Sequence, residues 1–198
     1  MSRPGVRILG VHVDAVTFEG MLGHIGEWIA EGGPHQICTV NPEFVMEARR
    51  NGAFAAVLES ADLCIPDGVG LLWAARRLGR PLPERVTGSD GVPLIAARAA
   101  RQGWRLFLLG AAPGVAQRAA GVLADHYPGL QVVGTFAGTP SDEDAPGIVS
   151  RIRAAGPDVL FVAYGAPRQD LWIARHGPAL QVPAMMGVGG SLDFVVGV

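Results

Sequence analysis

The sequence predicts an α/β fold, a mostly parallel sheet with helices on both faces. Three observations predict it. Strand-length apolar runs alternate with helix-length amphipathic stretches along the 198 residues. The clearest strands, Leu106-Phe107-Leu108-Leu109 and Val159-Leu160-Phe161-Val162, are apolar on both faces, as strands between two helical layers must be. Glycine-rich and polar segments follow the strands, where open parallel sheets bind their ligands.

Element by element, residues 6–13 read as one strand and 18–30 as an amphipathic helix. Residues 35–40 form a second strand. Asn41 can cap the helix after it, with Pro42 at its first position and Glu43 in its first turn. A helix over 53–60, a short strand over 63–65 and a helix over 68–78 come next. Residues 85–87 are short and extended, and 92–102 are helical. A regular rhythm then sets in: strand 105–109, helix 115–127, strand 131–136, helix 143–155, strand 159–163, helix 169–176 and strand 184–188. The expected architecture is doubly wound and Rossmann-like, with residues 1–198 forming a single domain.

Composition bounds the function. The chain is 49% apolar and 17% charged, enough to bury a core and unlike a disordered segment. A net charge of −2 argues against a dedicated nucleic-acid binder, so no nucleic acid is expected as a partner. All 16 basic residues are arginine. Without lysine, Schiff-base and Walker-type lysine chemistry is excluded. Cys38 and Cys64 lie in apolar runs and read as small core residues. The five histidines show no i, i+4 pair and no convergent acid, and no metal is expected. The N-terminus lacks an apolar signal core, and no apolar run is long enough to span a membrane, so a cytoplasmic setting is expected.

Several loops could carry chemistry. Gly110-Ala111-Ala112-Pro113-Gly114 follows a strand and opens a helix, where free N–H groups favour phosphate. A tight βα turn explains it equally well. It is not G-x-G-x-x-G, and the next strand ends without an acid for a ribose, which weakens a nicotinamide-dinucleotide reading. Asp67, in Pro66-Asp67-Gly68 after a strand, sits where a general base would be placed, or it caps the helix over 68–78; the two roles are compatible. Asp142-Glu143-Asp144 has the letters of a metal motif, but acids before a helix are explained by its dipole. Arg76, Arg77 and Arg80 form a basic strip, a solvated face or a contact for anionic phosphates or a membrane surface.

Six ordered blocks carry a family resemblance. They are Thr39-Val40-Asn41-Pro42-Glu43, the 61–70 stretch around Pro66-Asp67-Gly68, and Arg85-Val86-Thr87-Gly88-Ser89-Asp90. The others are the 108–114 stretch, Gly165-Ala166-Pro167-Arg168-Gln169-Asp170, and the 187–194 stretch ending in Leu192-Asp193-Phe194. Together they resemble the WecG/TagA/CpsF family of bacterial glycosyltransferases over nearly the whole chain. The resemblance implies an inverting, metal-independent transfer of an N-acetylmannosamine-type sugar. The donor is a UDP-sugar, and the acceptor is polyprenyl-diphosphate-linked N-acetylglucosamine at the inner face of the cytoplasmic membrane. The products feed teichoic acid linkage units or related surface polysaccharides.

The resemblance makes Asp67 the base and gives Thr39, Asn41 and Gln169 hydrogen bonds to the sugar. Arg85 would neutralise a diphosphate, a task suited to a planar, permanently charged group. UDP would be held by Gly110, Pro113 and Gly114, by Tyr164, Gly165 and Pro167, and by Gly187, Gly189, Gly190 and Asp193. Arg168 and Asp170 stand where the family usually has lysine and glutamate. Family members also continue past this point with a basic and apolar appendage. The expectation is therefore a catalytic core lacking a membrane-docking tail, which could self-associate. A non-catalytic nucleotide-sugar-binding module is the alternative, ahead of an NAD(P)-dependent oxidoreductase.

Overall fold

The computed structural model describes residues 3–197. The chain opens with an antiparallel hairpin, β1 (Gly5–Ile8) and β2 (Val11–Asp14), turned by Leu9 and Gly10 at φ of 46° and 95°. This corrects the single strand expected over 6–13. A two-residue turn with both residues at positive φ is usually announced by Asn-Gly or Asp-Gly, and Leu9-Gly10 gives only half of that signal.

The main body follows as α1 (Phe18–Glu31), β3 (His35–Val40), α2 (Pro42–Ala48), α3 (Gly52–Ser60), β4 (Leu63–Pro66), α4 (Val69–Arg77) and α5 (Gly88–Gln102). After it come β5 (Arg105–Gly110), α6 (Val115–His126), β6 (Gln131–Phe136), α7 (Ala145–Ala155), β7 (Val159–Ala163), α8 (Arg168–Leu180), β8 (Ala184–Gly187) and α9 (Ser191–Val195). Six strands form one sheet in the order β4-β3-β8-β7-β5-β6, with every neighbouring pair parallel. The fold is α/β and Rossmann-like.

Alternate strand residues feed opposite cores. Ile37, Leu106, Leu108, Phe161 and Met186 pack under α1, α5, α6 and α9. On the other face, Cys38, Val40 and Cys64 meet the hairpin and α2, α3 and α4. Beside them, Phe107, Leu109, Leu160, Val162 and Met185 meet α7 and α8. Cys38 and Cys64 are register partners on β3 and β4, both buried and both free. Among the described residues, no helix is long and apolar enough to cross a membrane.

Four local differences from the sequence reading have physical causes. Residues 85–87 pair in no strand; Val86 N–H donates once, to the Pro66 carbonyl at 3.0 Å. α5 starts at Gly88 because the Thr87 hydroxyl caps it, accepting from Asp90 N–H at 3.1 Å. α8 continues through Pro178, since Leu180 is buried and Gln181 ends the helix in the left-handed region. The short α9 was not anticipated.

The connections diverge between neighbouring strands β5 and β7: β5 leads outward to β6, while β7 leads back to β8. Divergence of this kind marks where open parallel sheets bind ligands, outside the carboxyl ends of the two strands. Gly110 makes that edge possible. It ends β5 at φ 98°, and a Cβ on it would lie 2.7 Å from the Ala163 carbonyl oxygen of β7. Gly110→Ala is expected to lower unfolding free energy by more than about 2 kcal/mol, combining left-handed strain with overpacking. Gly114, at φ 83° with no atom near its would-be Cβ, is the control. Gly114→Ala should cost only about 1–2 kcal/mol in the same urea titration.

Candidate active site

The carboxyl ends of β3, β4 and β8 gather most of the predicted catalytic residues. Asp67 follows β4 directly, and its N–H donates to the Val40 carbonyl at 2.7 Å, which ties the ends of β3 and β4 together. Its side chain does not cap α4, whose N-cap is Gly68 with no side-chain bond. Instead Oδ2 accepts from Gly88 N–H at 3.0 Å, the first residue of α5. The capping role is therefore real but belongs to a helix that starts 21 residues downstream.

The surroundings of Asp67 set its acidity. Half-burial raises its pKa above the ordinary carboxylate value, and the nearby Asp90 charge pushes the same way. The Gly88 hydrogen bond and the Arg85 charge oppose this in part. The net result is a carboxylate more basic than a free one, as a proton acceptor requires. The Arg85 guanidinium is half exposed, with Nη2 3.8 Å from Asp90 Oδ2.

Gly88 is the hub of this cluster. A Cβ there would meet Thr39 Cγ2 at 3.3 Å, Ser191 Oγ at 3.5 Å and Asp67 Oδ2 at 3.7 Å. The Thr39 hydroxyl donates to the Gly187 carbonyl at 3.3 Å, linking β3 to β8. Asn41 caps α2 through Oδ1, which accepts from Phe44 N–H at 2.9 Å. Asn41 Cβ also lies against Gly68, which puts it beside the Asp67 turn.

Gln169 is 1% exposed, and its Oε1 accepts from Gly189 N–H at 2.9 Å. In this structure it fastens the loop between β8 and α9. Gly187 must be glycine for this, since a Cβ would meet Gln169 Nε2 at 2.7 Å and Asp170 Oδ1 at 2.9 Å. Gly190 and Asp193 lie at the start of α9.

The other predicted loops follow the carboxyl ends of β5 and β7. Gly110, exposed Pro113 and exposed Gly114 lead into α6, whose N-terminus has no side-chain cap and so keeps free N–H groups. Gly165 at φ 77° and Pro167, after a cis peptide bond, lead into α8. Tyr164 differs from expectation. Its ring packs edge-on against Trp172 in the core, centroids 6.0 Å apart, so only its backbone belongs to the loop.

Sequence reasoning missed Gly88, Ser191 and Thr87 as parts of the site. A signal existed for the last of these: Thr87-Gly88-Ser89-Asp90 has a capping residue followed three positions later by an acid.

Features outside this edge are accounted for locally. Asp144 accepts from the Thr139 hydroxyl at 2.6 Å, and Asp142 pairs with Arg175. The expectation that no acid converges on a histidine is corrected. His12 Nε2 lies 3.0 Å from Asp14 Oδ1, and His24 Nδ1 3.3 Å from Glu27 Oε2. Both are pairs; among the described residues no three metal-ligating side chains converge.

Asp170, beneath the Gln169 loop, is fully buried, and neither of its oxygens has a hydrogen-bond partner among the described residues. Burial pushes its pKa up to about 7, offset only in part by the neighbouring Cys38 thiol and Gln169 amide. Because the folded pKa exceeds the unfolded one, the folded state binds the extra proton. Asp170 therefore stabilises less as pH rises from about 4 to about 7. The slope is expected to reach up to about 1.4 kcal/mol per pH unit. Urea unfolding across that range should show this fall in the natural chain and a flatter profile in Asp170→Asn.

Residues 6–198 match the model of the glycosyl transferase WecG/TagA/CpsF family. A Bacillus spizizenii protein named N-acetylglucosaminyldiphosphoundecaprenol N-acetyl-beta-D-mannosaminyltransferase is 33% identical over 161 residues, covering 81% of this chain and 62% of its own length. A Staphylococcus aureus protein of the same name is 32% identical over 194 residues, covering 97% of this chain and 76% of its own. With the match spanning nearly every element of the sheet, the chain belongs to the WecG/TagA/CpsF family of glycosyltransferases.

Proposed function

We propose that the protein transfers an N-acetylmannosamine-type sugar from a UDP-sugar to polyprenyl-diphosphate-linked N-acetylglucosamine, with inversion, as a peripheral enzyme at the inner face of the cytoplasmic membrane. The observation that carries the reading is Asp67, a half-buried carboxylate of raised basicity at the carboxyl edge of the sheet, beside Arg85. The names of the two relatives support the acceptor and the sugar.

In this reading Asp67 takes the proton of the acceptor hydroxyl. The acceptor oxygen bonds to the anomeric carbon from the face opposite the nucleotide, and the bond from that carbon to the diphosphate oxygen breaks. UDP leaves with the bonding pair. Thr39 and Asn41 hold the sugar, and Gln169 positions the Gly187–Gly189–Gly190 backbone against it. Developing charge on the diphosphate is met by Arg85 and by the free N–H groups of α6, with no metal in the scheme. UDP lies at the carboxyl ends of β5 and β7 along Gly110, Pro113 and Gly114, with Asp193 toward its ribose or uracil.

Asp67→Asn keeps the size and an oxygen able to accept from Gly88 N–H but loses the proton acceptor. Transfer to a lipid-diphosphate-N-acetylglucosamine analogue, followed by mass spectrometry, is expected to fall about 10²–10⁴-fold. UDP affinity measured by calorimetry should not change. Near-normal transfer by this variant would remove Asp67 from the role of base.

A further inference from the structure

α4 leaves the site immediately after Asp67 and carries a stripe that the fold does not use. Leu71 and Ala75 are buried and anchor the helix. On the outer side Val69 is 71% exposed and Trp73 66%, one helical turn apart, and Leu78 just beyond the helix is 56% exposed. Three of the seven large apolar side chains left exposed among the described residues thus fall within ten residues of one another. A soluble surface ordinarily scatters such groups singly.

The same stretch is basic. Arg76, Arg77 and Arg80 are exposed; Val69, Trp73 and Arg76 follow the i, i+4, i+7 positions of one helix face, and Arg80 follows just past the end of the helix. From Gly68 to Pro83 the chain has these three arginines and no acid. None of the three forms an ion pair among the described residues, so their charges stay available to an anionic partner. An indole, an aliphatic anchor and unpaired arginines along one short helix and the turn after it match the headgroup region of an anionic bilayer: the rings sit at the interface and the guanidinium groups meet phosphates.

We infer that α4 is a membrane-docking face for anionic lipid. The inference rests on the lipid-linked acceptor of the proposed function, because docking α4 would bring the Asp67 turn at its N-terminus to the depth of the acceptor diphosphate. Val69 and Trp73 enter the interface, while Arg76, Arg77 and Arg80 neutralise headgroups.

The test is flotation of the full chain with vesicles of phosphatidylcholine, with and without phosphatidylglycerol, in the absence of any sugar substrate. The natural chain should bind the anionic vesicles, and more weakly as salt rises. Changing Arg76, Arg77 and Arg80 together to Gln should weaken that binding about a hundredfold, about fivefold for each charge removed. Trp73→Ala should weaken it as well, while Trp73→Phe should keep binding but lose quenching of tryptophan fluorescence by brominated lipid. Transfer to a water-soluble short-chain acceptor should be the same in every α4 variant. Loss of transfer in all of the proteins, natural chain included, would count against the proposed function and leave the vesicle result readable. The docking inference falls if the natural chain ignores anionic vesicles or if the arginine variant binds them equally well. It falls too if the α4 variants change only the oligomeric state, which would make a second copy the occupant of this face.

Discussion

A single hydrogen bond joins the two parts of the molecule that the site depends on. Asp67 ends the edge strand β4, and Gly88 begins α5, which packs on the far side of the sheet under β3 and β8. The bond from Gly88 N–H to Asp67 Oδ2 brings the helix start to the sheet edge and satisfies an N–H that would otherwise lack a partner. It also fixes the carboxylate in a half-buried place beside Arg85 and Asp90, where the solvation lost exceeds the support gained from the bond and the arginine. Anchoring and basicity therefore come from one placement. Thr39 and Ser191 close around the same glycine, so the ends of β3 and β4 and the starts of α5 and α9 converge within a few ångströms.

The carboxyl edge of the sheet divides into two halves. The β4-β3-β8 half is polar and tightly hydrogen-bonded, with Thr39 bonded to Gly187 and Gln169 to Gly189. The β7-β5 half is made of backbone, because Gly110 lets the two strand ends approach and Gly114 leaves the start of α6 uncapped. Side chains suit acid–base work on a hydroxyl, and bare backbone N–H groups suit a diphosphate. The division follows from the topology, which reverses its winding direction between β5 and β7.

Much of this was legible in the sequence, for reasons that differ by element. The parallel sheet could be read because strands such as 159–163 are buried on both faces and leave a continuous apolar run. The cap at Asn41 could be read because capping and the proline after it are local chemistry. Asp67 could be placed at a strand end, yet its partner could not, since Gly88 lies 21 residues away and contributes only backbone. Tyr164 shows the opposite failure: its position after β7 suggested a loop residue, whereas tertiary packing turned its ring toward Trp172. The β1–β2 turn escaped notice because Leu9 adopts a positive φ that its residue type does not announce. Spacing identifies elements and the strand ends that carry chemistry, but it does not reveal backbone partners or which way a side chain turns once the layers pack.

The central claim is that burial leaves Asp67 more basic than a free carboxylate even while it is anchored by the hydrogen bond from Gly88 N–H. Titrating the Asp67 side-chain carboxyl carbon by NMR in the free protein, while following the Gly88 amide, tests it most directly. The account predicts a midpoint above the roughly 3.9 of an unperturbed aspartate, with the Gly88 amide shifting along the same curve as its acceptor is protonated. A midpoint at or below that value, or a Gly88 amide that ignores the titration, would contradict it.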